Sequence, residues 1–343
     1  MQNRKVYISG DLIPDNEAKI SIYDSAVLLG DTVTESTRTF NYKPFKLIEH
    51  VDRLYKSLKL TRIDSGMTKD EMIEVSENLL AVNKETYGDN EDCWLVHNIS
   101  RGLSITGGNP TLQVSKATVM IYTQPMILLP WAKFYKEGCH AVTPSSRVIP
   151  SQSLDPRLKN RSRLFYTLGE MEAKLVDPDA QSIMLDIHGN VAENKGGNIF
   201  LVRDGKLITP TTANCLEGLT RNTTMEIAKS LNIEVIEAVI QPYDLSTADE
   251  LFMTSTPYSI MPATKYNGLI IADGKVGPIT KKLLQGWSDR VGLDIVKQAE
   301  DQQFNQLFSN VLSGDDAANF LNKAFPKKGE VFDLQGNKLN PKH

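Results

Sequence analysis

Leu47, Val51, Leu54, Tyr55 and Leu58 recur at three- and four-residue intervals, the period of a helix with one apolar face. Upstream, Lys5–Ile8 reads as a short strand, and Val33–Phe40 and Phe45–Ile48 read as extended runs joined by an Asn41-Tyr42-Lys43-Pro44 turn. Thr68 with Glu71 three residues on is a capping box, which predicts a helix from Thr68 to about Val82. Strands near Cys93–Ser100 and Thr118–Tyr122 complete a small α+β domain over residues 1–122. Prolines at 125 and 130 bound a short apolar stretch, so 123–134 is expected to be an interdomain linker.

The larger domain is expected over 135–290. Ser162–Val176 is helical by pattern and Asp177-Pro178 stops it. Gln181–Ile187, Asn198–Arg203 and Lys206–Thr209 read as strands, with His188-Gly189 and Asp204-Gly205 in the turns. Thr220–Leu231 reads as a helix entering the strand Ile233–Ala238, and further strands fall near Glu250–Thr254 and Leu269–Ile271. Few helices separate successive strands, which favours a two-domain α+β fold with mixed, largely antiparallel sheets over a doubly wound one. Residues 291–343 read as a helical and polar C-terminal extension, rich in Lys, Gly, Asn and Pro from Pro326.

Composition narrows the class. At 343 residues, 41% hydrophobic and 23% charged, the chain has ordinary globular make-up and length for two domains. A formal net charge of −4 leaves no basic footprint for nucleic acid. No apolar run is long enough to span a bilayer, and Met1 to Gly10 lacks the pattern of a signal peptide. Cys93, Cys139 and Cys215 are too few and too scattered for a disulfide framework or a zinc site, so a cytoplasmic location and no metal are expected.

Neither a phosphate-binding Walker motif, a G-x-G-x-x-G turn, a G-x-S-x-G elbow nor an H-E-x-x-H helix occurs. Five other segments stand out in order: His50-Val51-Asp52-Arg53-Leu54-Tyr55; Ser153 to Asn160 with Lys159 near its end; Leu185 to Phe200 around Glu193; Leu216-Glu217-Gly218-Leu219-Thr220-Arg221; and Thr254-Ser255-Thr256-Pro257. Together, over roughly residues 3 to 290, they resemble the class IV (fold type IV) pyridoxal-phosphate enzymes. That group holds branched-chain aminotransferases, D-amino-acid transaminases, (R)-selective amine transaminases and aminodeoxychorismate lyase.

The resemblance implies roles that the chemistry of the residues makes intelligible. Lys159 matches the lysine that forms a Schiff base with pyridoxal 5'-phosphate, and a lysine is nucleophilic only when neutral. Glu193 matches the carboxylate that keeps the pyridine nitrogen protonated. Arg53 matches the phosphate-binding arginine. Leu219 and Thr220, at a helix start after Gly218, and Thr256 would hold the same phosphate, while Leu216 would pack on the ring. The implied reaction has two halves, with freed Lys159 moving a proton between substrate and cofactor, and the implied assembly is a homodimer with sites near its interface.

Several positions depart from the family's pattern. Thr34 stands where branched-chain enzymes commonly carry an aromatic, Leu164 where they carry a cofactor-supporting tyrosine, and Val96 where an arginine is expected. The Arg and His that follow Arg-Gly in D-amino-acid transaminases are absent from Leu103 to Gly108. Pro257 has no N–H to offer a substrate carboxylate. Lys195, Arg38 or Arg163 is therefore expected to replace that contact, with Thr34, Val96 and Asn98 as further substrate-facing candidates. The leading expectation is an aminotransferase moving an amino group from a branched-chain-type amino acid to a 2-oxo acid. An (R)-amine or D-amino-acid transaminase, a lyase that needs no acceptor, and a non-catalytic relative are the alternatives.

Overall fold

In the computed structural model, which describes residues 4–88, 91–104, 115–302, 331–332 and 338–339, two large sheets divide the chain. The first is built from β1 (Lys5–Ile8), β2 (Asp11–Pro14), β3 (Thr32–Phe40), β4 (Lys43–Pro44), β5 (Cys93–Ser100) and β6 (Thr118–Pro125). Its order is β2-β1-β6-β5-β3-β4, and every pairing is antiparallel. After the single turn α1 (Ser25–Leu28), helices α2 (Leu47–Thr61) and α3 (Lys69–Asn83) cover one face. The periodic residues Leu47, Val51, Leu54 and Leu58 of α2 are buried there with Leu95, Ile99, Val119 and Ile121 of the sheet. The Thr68 capping box forms as expected: Glu71 N donates to the Thr68 hydroxyl oxygen, and Thr68 N donates to the Glu71 carboxylate.

The expected extended run Phe45–Ile48 is not formed. Asn41 and Tyr42 both take positive φ, 50° and 59°, so the reversal is completed in two residues and β4 holds only Lys43–Pro44. Lys46, at φ 55°, then redirects the chain, and Leu47 opens α2. Burying Leu47 on the helix face outweighs local strand propensity.

The second sheet contains β7 (Cys139–Val142), β8 (Gln181–Leu185), β9 (Val191–Asn194), β10 (Asn198–Arg203), β11 (Lys206–Pro210), β12 (Val235–Ala238), β13 (Glu250–Ser255), β14 (Ser259–Tyr266) and β15 (Leu269–Ile270). Its path is β12-β11-β10-β13-β14-β7-β8-β9, with β15 beside β14. The β11–β12, β14–β7 and β7–β8 pairs are parallel and the others antiparallel, so the sheet is mixed. Asn194 N donates to Gly197 O, which brings the end of β9 back beside the start of β10. Helices α4 (Leu129–Ala132), α5 (Phe134–Glu137), α6 (Leu164–Val176), α7 (Leu219–Ser230), α8 (Pro242–Ser246), α9 (Pro278–Val291) and α10 (Ile295–Asp301) surround it. A core with Phe200 stacked on Phe252 at 5.1 Å and Trp287 fully enclosed sits under α7 and α9. Strands β2, β7, β9 and β14 went unanticipated. β2, β7 and β9 have four residues each and β14 carries Pro262 within it, so their pairing partners, not their own pattern, make them strands.

Of the extension expected over 291–343 as helical, α10 and the antiparallel pair β16 (Val331–Phe332) and β17 (Lys338–Leu339) are described, the pair departing from that expectation, and residues 303–330, 333–337 and 340–343 lie outside the described residues. No helix among the described residues is long and apolar enough to cross a membrane. Cys93, Cys139 and Cys215 are buried and unpaired.

Candidate active site

The site begins with an uncovered strand edge. β4 pairs only with Thr39 and Phe40, so the Thr32–Thr34 end of β3 presents free backbone groups. The segment around Lys159 occupies that edge: Thr34 N donates to Lys159 O at 2.9 Å, Arg161 N donates to Thr32 O at 2.9 Å, and Asn160 bridges to Val33. Lys159 N also donates to the Ser57 hydroxyl of α2 at 3.3 Å. A short stretch without regular structure is thus anchored as if it were a further strand, and Lys159 is delivered to a cavity between the two sheets.

That cavity, of about 850 Å³, is lined by Lys159, Arg53, Glu193, Leu216, Leu219, Thr220 and Thr256, all seven of the positions expected to hold a cofactor. They come from α2, the β3-edge segment, β9, the start of α7 and the β13–β14 turn, so only the tertiary structure collects them.

Charge in the cavity is arranged rather than scattered. Burial pushes the Lys159 ammonium down to about 7; the Glu35 charge opposes this, and Arg163, Arg53 and Arg161 add to it. Glu193 is buried, and that burial raises its pKa against the hydrogen bonds it accepts from the Tyr166 hydroxyl and from Leu216 N at 3.1 Å. Glu35, fully buried on β3, accepts from Arg53 Nε and Nη2 at 2.8 Å each and shares a hydrogen bond with His50 Nδ1 at 3.0 Å. Burial alone would raise the Glu35 pKa, but Arg53 and His50 hold it well below the usual carboxylate range. Arg53 Nη1 donates to Glu217 O at 2.8 Å, so one guanidinium ties β3 and α2 to the loop before α7. Three of its five N–H groups are used, leaving two for a ligand.

Helix α7 starts with Gly218 as N-cap and no side-chain cap, so its first N–H groups are open to a ligand. A Cβ on Gly218 would fall 2.1 Å from Asn198 Oδ1, and Asn198 Nδ2 holds Leu216 O at 2.8 Å. Glycine is required there because the chain packs directly on that side chain.

The expected substrate contacts divide. Arg163, Lys195 and Pro257 line the cavity; Thr34, Arg38, Val96 and Asn98 do not. Arg38 is fully buried, donating to Pro257 O and the Gln298 amide oxygen with its guanidinium over the Phe40 ring. The Thr34 hydroxyl donates to His97 O at 3.0 Å, and Val96 is enclosed in β5. Asn98 accepts from Arg161 Nε at 3.0 Å. Lys195 is ion-paired with Glu170, and Arg163 stands over the Tyr166 ring at 5.1 Å. Leu164 is largely exposed at the start of α6, whereas Tyr166, two residues on, is the buried partner of Glu193. Glu35 and Tyr166 had not been singled out. A lone carboxylate inside the Thr-rich β3 was the available signal for Glu35, since such a charge is buried only when paired.

Comparisons with known proteins point one way. The family model described as amino-transferase class IV matches residues 32–266. The chain is 36% identical over 286 residues to a Methanocaldococcus jannaschii protein that carries the provisional name branched-chain-amino-acid aminotransferase, covering 83% of this chain and 96% of that one. Among solved structures, the branched-chain aminotransferase of the thermophilic archaeon Thermoproteus uzoniensis with norvaline superposes with a TM-score of 0.72 at 28% identity, over 84% of this chain and 95% of that chain. The Escherichia coli branched-chain amino acid aminotransferase does so with a TM-score of 0.78 at 27% identity, over 88% and 97%.

Proposed function

The chain belongs to the class IV aminotransferases, and from that premise we propose that it moves the amino group of a branched-chain-type amino acid to a 2-oxo acid, with pyridoxal 5'-phosphate carried on Lys159. The observation that carries this reading is the shared cavity in which Lys159, its amine lowered to about 7, meets Glu193, Arg53 and the uncapped start of α7.

These residues fit the group. The open N–H groups of Leu219 and Thr220, the two unused N–H groups of Arg53 and the Thr256 hydroxyl suit a phosphate. Glu193, buried and supported by Tyr166 and Leu216 N, suits the ring nitrogen. Bound there, pyridoxal phosphate supplies the electron sink that allows an amino acid to lose its α-proton. Lys159, its amine lowered to about 7, is neutral in a substantial fraction near neutral pH, so its Nζ would carry the group and would take and return that proton. The Glu193 carboxylate would hold the ring nitrogen in its cationic form, and Leu216 would support the ring. The apolar wall of Trp94, Trp131, Phe134, Leu154 and Phe165 excludes water and favours an apolar substrate side chain.

The proposal extends to assembly and organisation. Leu164, Leu168, Met171 and Leu175 form an exposed apolar stripe along α6, and Ile22, Tyr23, Val27 and Leu29 form another exposed apolar group, surfaces that suit a homodimer. Residues 1–122 and 135–290 act as two domains, with the end of β6, α4 and the start of α5 in the 123–134 segment between them, and the three unpaired thiols accord with the cytoplasm.

The test is to record the visible spectrum, reduce with borohydride, map the modified peptide, and assay amino acids with and without a 2-oxo acid. A yellow protein modified at Lys159, with turnover that requires the acceptor, supports the reading. A protein that stays colourless and unlabelled with added pyridoxal phosphate overturns it, and acceptor-independent product release assigns a lyase instead.

A further inference from the structure

Five cationic side chains besides Lys159 line the cavity: Arg53, Arg161, Arg163, Lys174 and Lys195. Four are already engaged. Arg53 is held by Glu35, Lys174 and Lys195 share Glu170, and Arg163 lies over the Tyr166 ring with Nη1 3.5 Å from Lys195 O. Arg161, like Arg163, has no carboxylate partner among the described residues, and it is the one whose guanidinium is held by two neutral side chains. Its Nε donates to Asn98 Oδ1 at 3.0 Å and its Nη2 donates to the Tyr122 hydroxyl oxygen at 3.4 Å.

The clamp that holds Arg161 joins two adjacent strands. Asn98 lies on β5 and Tyr122 on β6, adjacent antiparallel strands, and Asn98 Nδ2 donates to the same Tyr122 oxygen at 3.2 Å. The Arg161 backbone is fixed by its N–H bond to Thr32 O. Two of five guanidinium N–H groups are therefore spent on orientation and three remain, with the positive charge uncompensated. A guanidinium so prepared presents paired N–H groups to a carboxylate with little ordering cost. It sits two residues from Lys159, and its charge reaches that amine.

We propose that Arg161 grips the carboxylate of the amino acid and of the 2-oxo acid, with Asn98 and Tyr122 as positioning residues, and so makes the site specific for α-amino carboxylates over simple amines. This rests on the aminotransferase reading and names the substrate contact within it. Pro257 offers no N–H and Arg38 is sealed beneath it, so neither competes for the role.

The test uses the holoenzyme, with 4-methylpentanoate, a branched carboxylate without an amine, as a calorimetric probe. Arg161→Met should weaken its binding, and raise KM for amino acid and oxo acid, by about 10- to 100-fold, the span of a charged hydrogen bond. Arg161→Lys should recover part of the loss, and Tyr122→Phe, which keeps the guanidinium and removes its guide, should lose less. Cofactor content and melting temperature should stay unchanged in all three. If the wild type transaminates amino acids while Arg161→Met binds the probe as tightly, the proposal is overturned and the aminotransferase reading stands. If the wild type neither transaminates nor binds the probe, that reading fails and takes the proposal with it.

Discussion

The amide of Thr34 donates to the carbonyl of Lys159 at 2.9 Å, and with the bond from Arg161 N to Thr32 O it sets the lysine's backbone on the edge of β3. Only the four-carbon side chain is left to move, which suits a group that must release a bound molecule and then reach a neighbouring carbon for its proton.

The Lys159 amine makes the first prediction. A lysine in the unfolded chain keeps its proton to about 10.5, whereas in the folded site it gives it up near 7. Between those values the unfolded state binds more protons, so stability rises with pH across the window. Below pH 7 the folded protein carries an enclosed ammonium. Lys159→Met should therefore raise the melting temperature of the cofactor-free protein most below pH 7, and the gain should vanish toward pH 10.5. A gain independent of pH would contradict the lowered amine. Lys159→Ala should also cost at least about 10²–10⁴-fold in turnover, as loss of an acid–base group does.

Glu35 should act as the brace of Arg53. Its pKa is held well below the ordinary 4.5 because Arg53 and His50 outweigh its burial. A depressed carboxylate contributes stability above 4.5, and that contribution is lost as pH falls toward the folded value. Glu35→Gln should cost about 3–5 kcal/mol near neutrality, the scale for breaking a buried pair from one side. It should flatten the acid limb of stability and loosen cofactor binding. Urea unfolding at neutral and acid pH, with cofactor titration, checks both; an unchanged acid limb would remove Glu35 from the account.

At Gly218 the first added carbon meets Asn198 Oδ1 at 2.1 Å. Gly218→Ala should displace Asn198, release Leu216 O and shift the start of α7, at a cost of about 1–3 kcal/mol for overpacking. Affinity for pyridoxal phosphate should fall with it, read by fluorescence titration. Wild-type affinity would mean that the phosphate is not held at this helix start.

Thr68 offers a contrast, since α3 adds no residue to the cavity. Thr68→Ala removes the capping box and should cost about 1 kcal/mol in chemical denaturation. KM and kcat should be unaltered, and a change in either would show that α3 transmits to the site.

How much of this was legible in the chain follows from the range of each interaction. The Thr68 cap and the α2 stripe depend on neighbours three and four positions away, so their pattern sufficed. The ordered segments bearing Arg53, Lys159, Glu193, Leu219, Thr220 and Thr256 could be picked out because each is a contiguous string, although nothing local said that they meet. What lay beyond the sequence was everything set by distant partners. Strands β7, β9 and β14 exist through the strands beside them, and Arg38, an apparent substrate contact, is consumed by Pro257 and Gln298, which lie far along the chain. The pairing of Glu35 with Arg53 and the neutral clamp on Arg161 likewise belong to the tertiary structure alone, because burial and the approach of charges arise only when the two sheets close around the cavity.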